Sequence, residues 1–224
     1  MADKPANAVR PQNGRPQSPA LATSPSGREL QQRAVQTREA VLLAAADVFY
    51  QEGYSAATIG EIAARAEVTK GALYFHYPSK AALAVAVLEE HHAAWAQVMA
   101  ESREWQQLAL DKIDALIKRV ARSYVQSAIA RAGVRLGNEY QAIDADLPVP
   151  FVGWIEAMTN LLRTGQQDGS VARTLDAPAA ARVIVASFFG VQEVSERLNA
   201  RADLEQRVAE WWSMLAPALS RGIG

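Results

Sequence analysis

Residues 58–80 read TIGEIAARAEVTKGALYFHYPSK, and this stretch decides the fold. Thr58 is followed three residues later by Glu61, which is the capping-box pattern of a helix start. A second short helix is predicted over 70–75, with Thr69 as its N-cap. Two short helices joined by a tight turn are typical of a helix-turn-helix, in which the second helix enters the major groove of DNA. The stretch therefore predicts a DNA-binding domain.

Helical patterns flank this motif on both sides. Upstream, apolar residues recur at three- and four-residue spacing, which predicts a helix that starts at Glu29 and ends at Gly53. Downstream, Ser79 can cap a fourth helix that reaches about Met99. Further helices are predicted near 105–128, 130–138, 150–166, 177–198 and 204–221. The fold class is therefore all-α, with an N-terminal helix-turn-helix DNA-binding domain and a larger C-terminal helical domain for ligand binding and dimerisation.

The chain is predicted to consist of a tail and two domains. Residues 1–28 contain five of the ten prolines and few large apolar side chains, so burial cannot offset the entropy of ordering them. We expect a disordered tail there, with an arm that brings Arg28 near the DNA as the alternative. Residues 29–80 are assigned to the DNA-binding domain, and residues 81–224 to the ligand-binding and dimerisation domain.

Composition limits the setting in which the protein works. The 224-residue chain has no cysteine and no apolar run near the ~18 residues that span a bilayer. Its first residues lack the apolar core of a secretory signal. We expect a cytoplasmic protein that binds no membrane, metal or cofactor. The net charge of −1 hides nine Lys or Arg against seven acids in residues 1–80, which permits a DNA-binding end.

The second short helix carries the candidate DNA-contacting side chains. Lys70 can donate to a base edge or a phosphate, Gly71 allows a close backbone approach, and the Tyr74 hydroxyl can meet a phosphate. Thr69 and Lys80 each stand at a helix start and are further phosphate candidates, because helix N-termini and cations attract anions.

Other residues near the motif have two interpretations. Phe75 either contacts DNA or packs in the core of the small domain. Arg38 either contacts the DNA backbone or belongs to a solvated helix face. His76 is interpreted as a structural side chain.

The stretch from Arg38 to Leu88 resembles the TetR family of bacterial repressors. The resemblance rests on Ala45-Ala46-Asp47-Val48-Phe49, Gly53-Tyr54, Thr58-Ile59, Ile62-Ala63, Val68 to Tyr77 and Ser79-Lys80. It implies a homodimer that binds a partly palindromic operator in double-stranded DNA. The family's DNA-contacting positions fall on Thr69, Lys70, Gly71, Tyr74, Phe75 and Lys80, and Arg38 and Thr58 are added as candidates.

The second domain is predicted to sense a small molecule. Aromatic side chains for a pocket wall are supplied by Trp154, Phe151, Trp95, Tyr124 and Phe188, and polar points by His91, His92, Gln126 and Ser187. Core packing is the alternative for each aromatic residue. Neighbours on a helix point about 100° apart, so we expect only one of the two histidines to face the pocket.

The segment 147–154, LPVPFVGW, sharpens the resemblance. It is similar to the γ-butyrolactone receptor branch of the TetR family, in which a tryptophan in this setting lines the inducer pocket, and this implies a role for Trp154. Members of the branch respond to γ-butyrolactones, butenolides, furan carboxylic acids or antibiotics. Phe151 is apolar and favours a neutral lactone or butenolide inducer. A furan carboxylic acid, an antibiotic or a drug is the alternative.

The last two predicted helices carry more apolar residues than one small domain hides. These residues are Val183, Val185, Phe188, Phe189, Val191, Val194, Trp211, Trp212, Leu215 and Leu219. A homodimeric four-helix interface would cover them, and closure of the monomer core is the alternative.

Other functions fit the sequence less well. An enzyme is disfavoured because the chain has no Gly-rich phosphate loop, cysteine nucleophile or nucleophile elbow, and His91 and His92 are adjacent rather than four residues apart. Two non-enzymatic alternatives stay open. One is a TetR-like regulator of another branch that senses a drug, a fatty acid or an amino-acid derivative. The other is a protein–protein adaptor that keeps the repressor fold.

Overall fold

The computed structural model describes residues 27–221. Within that range the chain forms nine α-helices and a short 3-10 turn, and no strand. The helices are α1 (Gly27–Ala56), α2 (Ile59–Arg65), α3 (Lys70–His76), α4 (Lys80–Ser102), α5 (Ala109–Gln126), α6 (Ala128–Asn138), α7 (Val152–Asp168), α8 (Ala177–Asn199) and α9 (Leu204–Arg221). The all-α prediction is confirmed. Residues 1–26 of the predicted tail lie outside the described residues, and α1 includes Arg28.

The helix-turn-helix forms through local capping. The Thr58 side chain accepts a hydrogen bond from the backbone N–H of Glu61 at 3.2 Å, and the Glu61 carboxylate accepts one from the backbone N–H of Thr58 at 3.0 Å. The Thr69 hydroxyl oxygen accepts from the backbone N–H of Ala72 at 3.1 Å. Between the helices Glu67 takes a left-handed conformation with φ 55°. These caps confirm the boundaries predicted from the sequence.

The molecule has two apolar cores, and α6 belongs to both. The first core joins α1, α2, α3 and the first half of α4, and α6 contributes Ala132 and Leu136 to it. The second core joins α5, α7, α8 and α9, and α6 contributes Ala130 and Val134 to it. Because opposite sides of α6 are buried in different cores, a displacement of this helix acts on both.

A charged clamp fixes the end of α1 to α6. At Gly53 the backbone of α1 breaks with φ 82°, and a Cβ there would lie 2.7 Å from a Glu139 carboxylate oxygen. The space and the conformation therefore both require glycine. Arg135 donates to the Tyr50 carbonyl oxygen at 2.6 Å, and the Tyr54 backbone N–H donates to Glu139 at 2.7 Å. Arg135 and Glu139 pair with each other at 3.2 Å. We call this set of contacts the α1–α6 clamp.

The start of α5 differs from the prediction. The helix begins at Ala109 rather than near 105. Its first backbone N–H donates to Asp168 at 2.8 Å, and Asp168 lies at the end of α7. The group that caps α5 is thus distant in sequence, so no local pattern could mark this boundary.

Candidate functional site

The exposed face of α3 carries two aromatic residues and a lysine. Tyr74 is 48% exposed and Phe75 is 82% exposed, whereas Leu73 of the same helix is fully buried in the core. The core-packing alternative for Phe75 is therefore wrong. Lys70 is exposed, and in residues 27–221 its ammonium group has no hydrogen-bond or ion-pair partner. Together with Gly71, these side chains form a surface suited to a DNA groove.

Thr58 caps α2, Thr69 caps α3, and Arg38 lies beside the end of α3. The Thr58 hydroxyl also donates to Glu61 at 2.8 Å, so both of its hydrogen-bonding functions are used in the cap. The Thr69 oxygen accepts in its own cap, which leaves its O–H to donate elsewhere. The Arg38 guanidinium lies 5.7 Å from the ring centre of Tyr77, directly after α3, and the Arg38 side chain is exposed.

Lys80 has a different role from the predicted phosphate anchor. Its ammonium group donates to the carbonyl oxygens of Tyr54, Ser55 and Ala57 at 2.8, 3.3 and 3.1 Å. It also lies 4.5 Å from the ring centre of Tyr54. Because the end of α1 leaves these carbonyls without helical partners, Lys80 satisfies them.

A cavity of about 300 Å³ lies between α4, α6 and the segment that leads into α7. The indole rings of Trp95 and Trp154 form one wall, stacked nearly parallel with centroids 3.7 Å apart. Phe151 lies at the mouth, 38% exposed, with its ring edge-on to Phe189 at 4.6 Å. The volume is at the lower end of the range for small-molecule sites.

Both histidines lie in the wall of this cavity, so the expectation that only one would face it is wrong. His91 fits against α6 because residue 133 is glycine: a Cβ there would lie 2.3 Å from the His91 ring. Burial, aided by the neighbouring His92, lowers the pKa of His91 to about 4. Burial also lowers the pKa of His92. His91 is therefore neutral at pH 7 and offers one donor and one acceptor rather than a positive charge.

Tyr124 has a buried hydroxyl without a partner next to the site. Its side chain is fully buried, and within residues 27–221 its hydroxyl has no hydrogen-bond partner. Burial raises its pKa, so the hydroxyl stays protonated. A buried hydroxyl without a partner costs about 1–3 kcal/mol. Tyr124 contributes to the walls of both the main cavity and a smaller one of about 170 Å³ beyond His91, while its hydroxyl oxygen is itself buried among protein atoms.

Three predicted pocket residues lie elsewhere. Gln126 is exposed at the end of α5. The Ser187 hydroxyl donates to the Val183 carbonyl oxygen within α8, away from the cavity. Phe188 is buried behind Trp154, with ring centres 6.4 Å apart, and supports the wall without lining the cavity. Sequence periodicity marks such residues as apolar or polar but does not tell which side of their helix meets a cavity.

Several lining residues were not predicted. They are Leu88, Gly133, Val134, Gly137, Asn138, Tyr140 and Phe189. The spacing of Gly133 and Gly137, one helical turn apart, is the signal that could have found the α6 wall. No Asp, Glu, Lys or Arg of the described chain lines the cavity. An ionised ligand would have no ion-pair partner there, which favours an uncharged one.

Two family models match the chain. A model of the bacterial regulatory proteins of the tetR family matches residues 41–87. A model of the tetracyclin repressor-like C-terminal domain matches residues 109–221.

Individual relatives and solved structures agree with these matches. The A-factor receptor protein of Streptomyces griseus is 40% identical over 190 residues, which span 85% of this chain and 66% of that protein. A γ-butyrolactone receptor structure, ArpA-like, has 33% identity and a TM-score of 0.74, covering 85% of this chain and 91% of that one. CprB from Streptomyces coelicolor, solved with its operator sequence, has 34% identity and a TM-score of 0.75, covering 82% and 88%. The alignment with the A-factor receptor thus spans just under two thirds of that relative's length.

Proposed function

Because this chain belongs to the TetR family of bacterial regulatory proteins, we propose that it is a repressor that binds operator DNA and is released by a γ-butyrolactone or butenolide signal. Its targets would be genes of antibiotic or other secondary metabolism. The uncharged cavity beside Trp154 carries this proposal. The cavity offers stacked indoles for an apolar ring or chain, and it offers the neutral His91 for a carbonyl or hydroxyl group. A furan carboxylate would lack a cation, so the cavity favours the neutral classes.

The exposed face of α3 supports the DNA-binding half of the proposal. Lys70, Gly71, Tyr74 and Phe75 would read or hold the operator, with Thr69 and Arg38 on flanking phosphates. Helix-turn-helix repressors bind two half-sites as dimers, which agrees with a partly palindromic operator.

A homodimer is supported by the apolar surface of α8 and α9. Of the residues predicted for the interface, Val185, Phe188, Trp212 and Leu219 are buried within the monomer, and Val183 and Val194 are exposed. Leu198 is 72% exposed and Met214 is 74% exposed, and both extend this apolar surface. Within residues 27–221, α8 alone has the length and the mean hydropathy, 1.2, of a membrane-spanning helix. A partner subunit packed on α8 and α9 would account for that apolar surface. Sedimentation velocity at micromolar concentration should give twice the monomer mass.

The test of the function is release from DNA. The protein should retard, in a gel, a DNA fragment taken from upstream of its own gene. Titration with a γ-butyrolactone or butenolide should then free the DNA. A furan carboxylic acid should act only at far higher concentration. Release by the acid alone, or by none of these compounds, would contradict the proposed ligand class.

The α1–α6 clamp supplies a route from the cavity to α3. One side of α6 lines the cavity, while Arg135 and Glu139 hold the end of α1, whose core also positions α2 and α3. A ligand that displaces α6 therefore also displaces α1 and the core that positions the DNA-reading helix α3. Coupling between two sites of this kind is typically worth about 1–3 kcal/mol.

Glu139→Ala is expected to uncouple the two sites. The dissociation constant for the ligand should stay within about threefold of wild type, since Glu139 does not line the cavity, while the ligand concentration needed to release DNA rises about tenfold or more. Isothermal calorimetry and gel retardation measure the two quantities. Asp114→Ala, which breaks a comparable ion pair with Lys118 on the outer face of α5, is the matched control and should change neither. Equal shifts in both quantities for Glu139→Ala would rule out the clamp as the route.

A further inference from the structure

Helix α6 lines the cavity with two glycines, Gly133 and Gly137, one helical turn apart. Glycine within a helix is unfavourable relative to alanine, because it loses more backbone entropy on folding. Each glycine therefore calls for a physical reason. For Gly133 the reason lies in the protein itself, since a Cβ would lie 2.3 Å from the His91 ring and drive α4 away from α6.

No such reason exists for Gly137. Among the described residues, and apart from its chain neighbours and the adjoining α6 backbone, no heavy atom lies within 4 Å of the position that its Cβ would take. Its backbone is not among those with positive φ, so the conformation is one that alanine adopts readily. Within the described chain, neither packing nor backbone geometry accounts for glycine here. The open space next to it is the cavity.

We propose that Gly137 leaves the α6 backbone bare so that the ligand packs directly on it, and that the residue at this position sets the size of the ligand accepted. This inference rests on the proposed function, because it takes the cavity to be the ligand site. The cavity of about 300 Å³ is small enough that one added methyl group matters. The part of the ligand that reaches Gly137 is uncharged, as no charged side chain lines the wall. A longer acyl or alkyl substituent on a lactone ring is the chemistry that would fill this space.

Gly137→Ala separates this role from a structural one. Because alanine meets no protein atom there and favours the helix, the ligand-free variant should melt about 2 °C higher than wild type. The added methyl group takes ligand space, so affinity for the longest bound member of a series of acyl γ-butyrolactones should fall about tenfold or more, and affinity for the shortest should change little. Operator binding without ligand should be unchanged. Thr164→Ala is the control: it also improves helix propensity on an exposed face of α7, outside the cavity, and should raise the melting temperature without changing lactone affinity.

Calorimetry with the lactone series on wild type and both variants distinguishes the outcomes. A more stable Gly137→Ala variant that loses long lactones selectively supports the assignment. A destabilised variant overturns it, because glycine would then be structural. A variant that binds every lactone as wild type does also overturns it, while the proposed function stands. If wild type itself binds no lactone, the proposed function fails and the role of Gly137 falls with it.

Discussion

The double variant Lys70→Ala, Tyr74→Ala is expected to bind the operator at least about 100-fold more weakly than wild type, with its helical circular dichroism retained. Each good base or phosphate contact is worth about 1–3 kcal/mol, and tenfold corresponds to about 1.4 kcal/mol. Both side chains are exposed on α3, so their removal leaves no cavity and no unsatisfied buried group. Gel retardation at two salt concentrations measures the effect. Loss of a phosphate contact should also reduce the slope of the logarithm of the operator affinity against the logarithm of the salt concentration by about one.

The control for this experiment removes the same charge elsewhere. Lys118→Ala on α5 loses one positive charge at an exposed ion pair with Asp114 and should retard DNA as wild type does. The double variant should still bind the lactone that wild type binds, because α3 takes no part in the cavity. Undiminished retardation by the double variant would contradict the assignment of α3 as the reading helix.

Trp154→Ala is expected to give a repressor that binds DNA and no longer responds to its ligand. The variant removes one indole of the stacked pair that walls the cavity. Loss of a large aromatic contact costs about 2–3 kcal/mol of ligand binding, or about 100-fold in affinity. Ligand titration of the protein–operator complex in a gel measures the shift.

Two further variants make this result specific. Trp154→Phe keeps an aromatic ring and should recover part of the response. Trp105→Ala removes a half-buried tryptophan that packs on the same core but does not line the cavity, so its response should match wild type. A Trp154→Ala variant released at the wild-type ligand concentration would exclude this cavity as the inducer site.

The parts of the fold predicted correctly are those that depend on local chemistry. The caps at Thr58 and Thr69 involve residues three positions apart, so the sequence alone marks α2 and α3. The start of α5 depends on Asp168, which is remote in sequence, and its position was missed. The family and its γ-butyrolactone receptor branch, named from residues 38–88 and 147–154, are confirmed by the domain models and the solved structures.

The candidate ligand site was predicted less completely than the fold. Trp154, Phe151 and the two histidines line the cavity as predicted, because large aromatic and polar side chains in an apolar helical domain are conspicuous. Gln126, Ser187 and Phe188 do not line the cavity, because composition gives residue type but not the direction in which a helix face points. The role of Lys80 was missed for a similar reason: its carbonyl partners belong to the end of α1 and become neighbours only in the folded chain.

The sharing of α6 by two cores has a consequence for redesign of this protein as a biosensor. Changes at Ala132 or Leu136 would alter the packing beneath the DNA-reading helices together with any effect on sensing. Val134 and Gly137 line the cavity, and neither belongs to that first core. A mutant library that retunes the sensor to a new compound should therefore randomise Val134 and Gly137 on the cavity side of the helix, and keep Gly133 and the opposite side constant. Libraries that vary the whole helix would return mostly variants with constitutive expression, since loss of operator binding is the commoner outcome of damaging the first core.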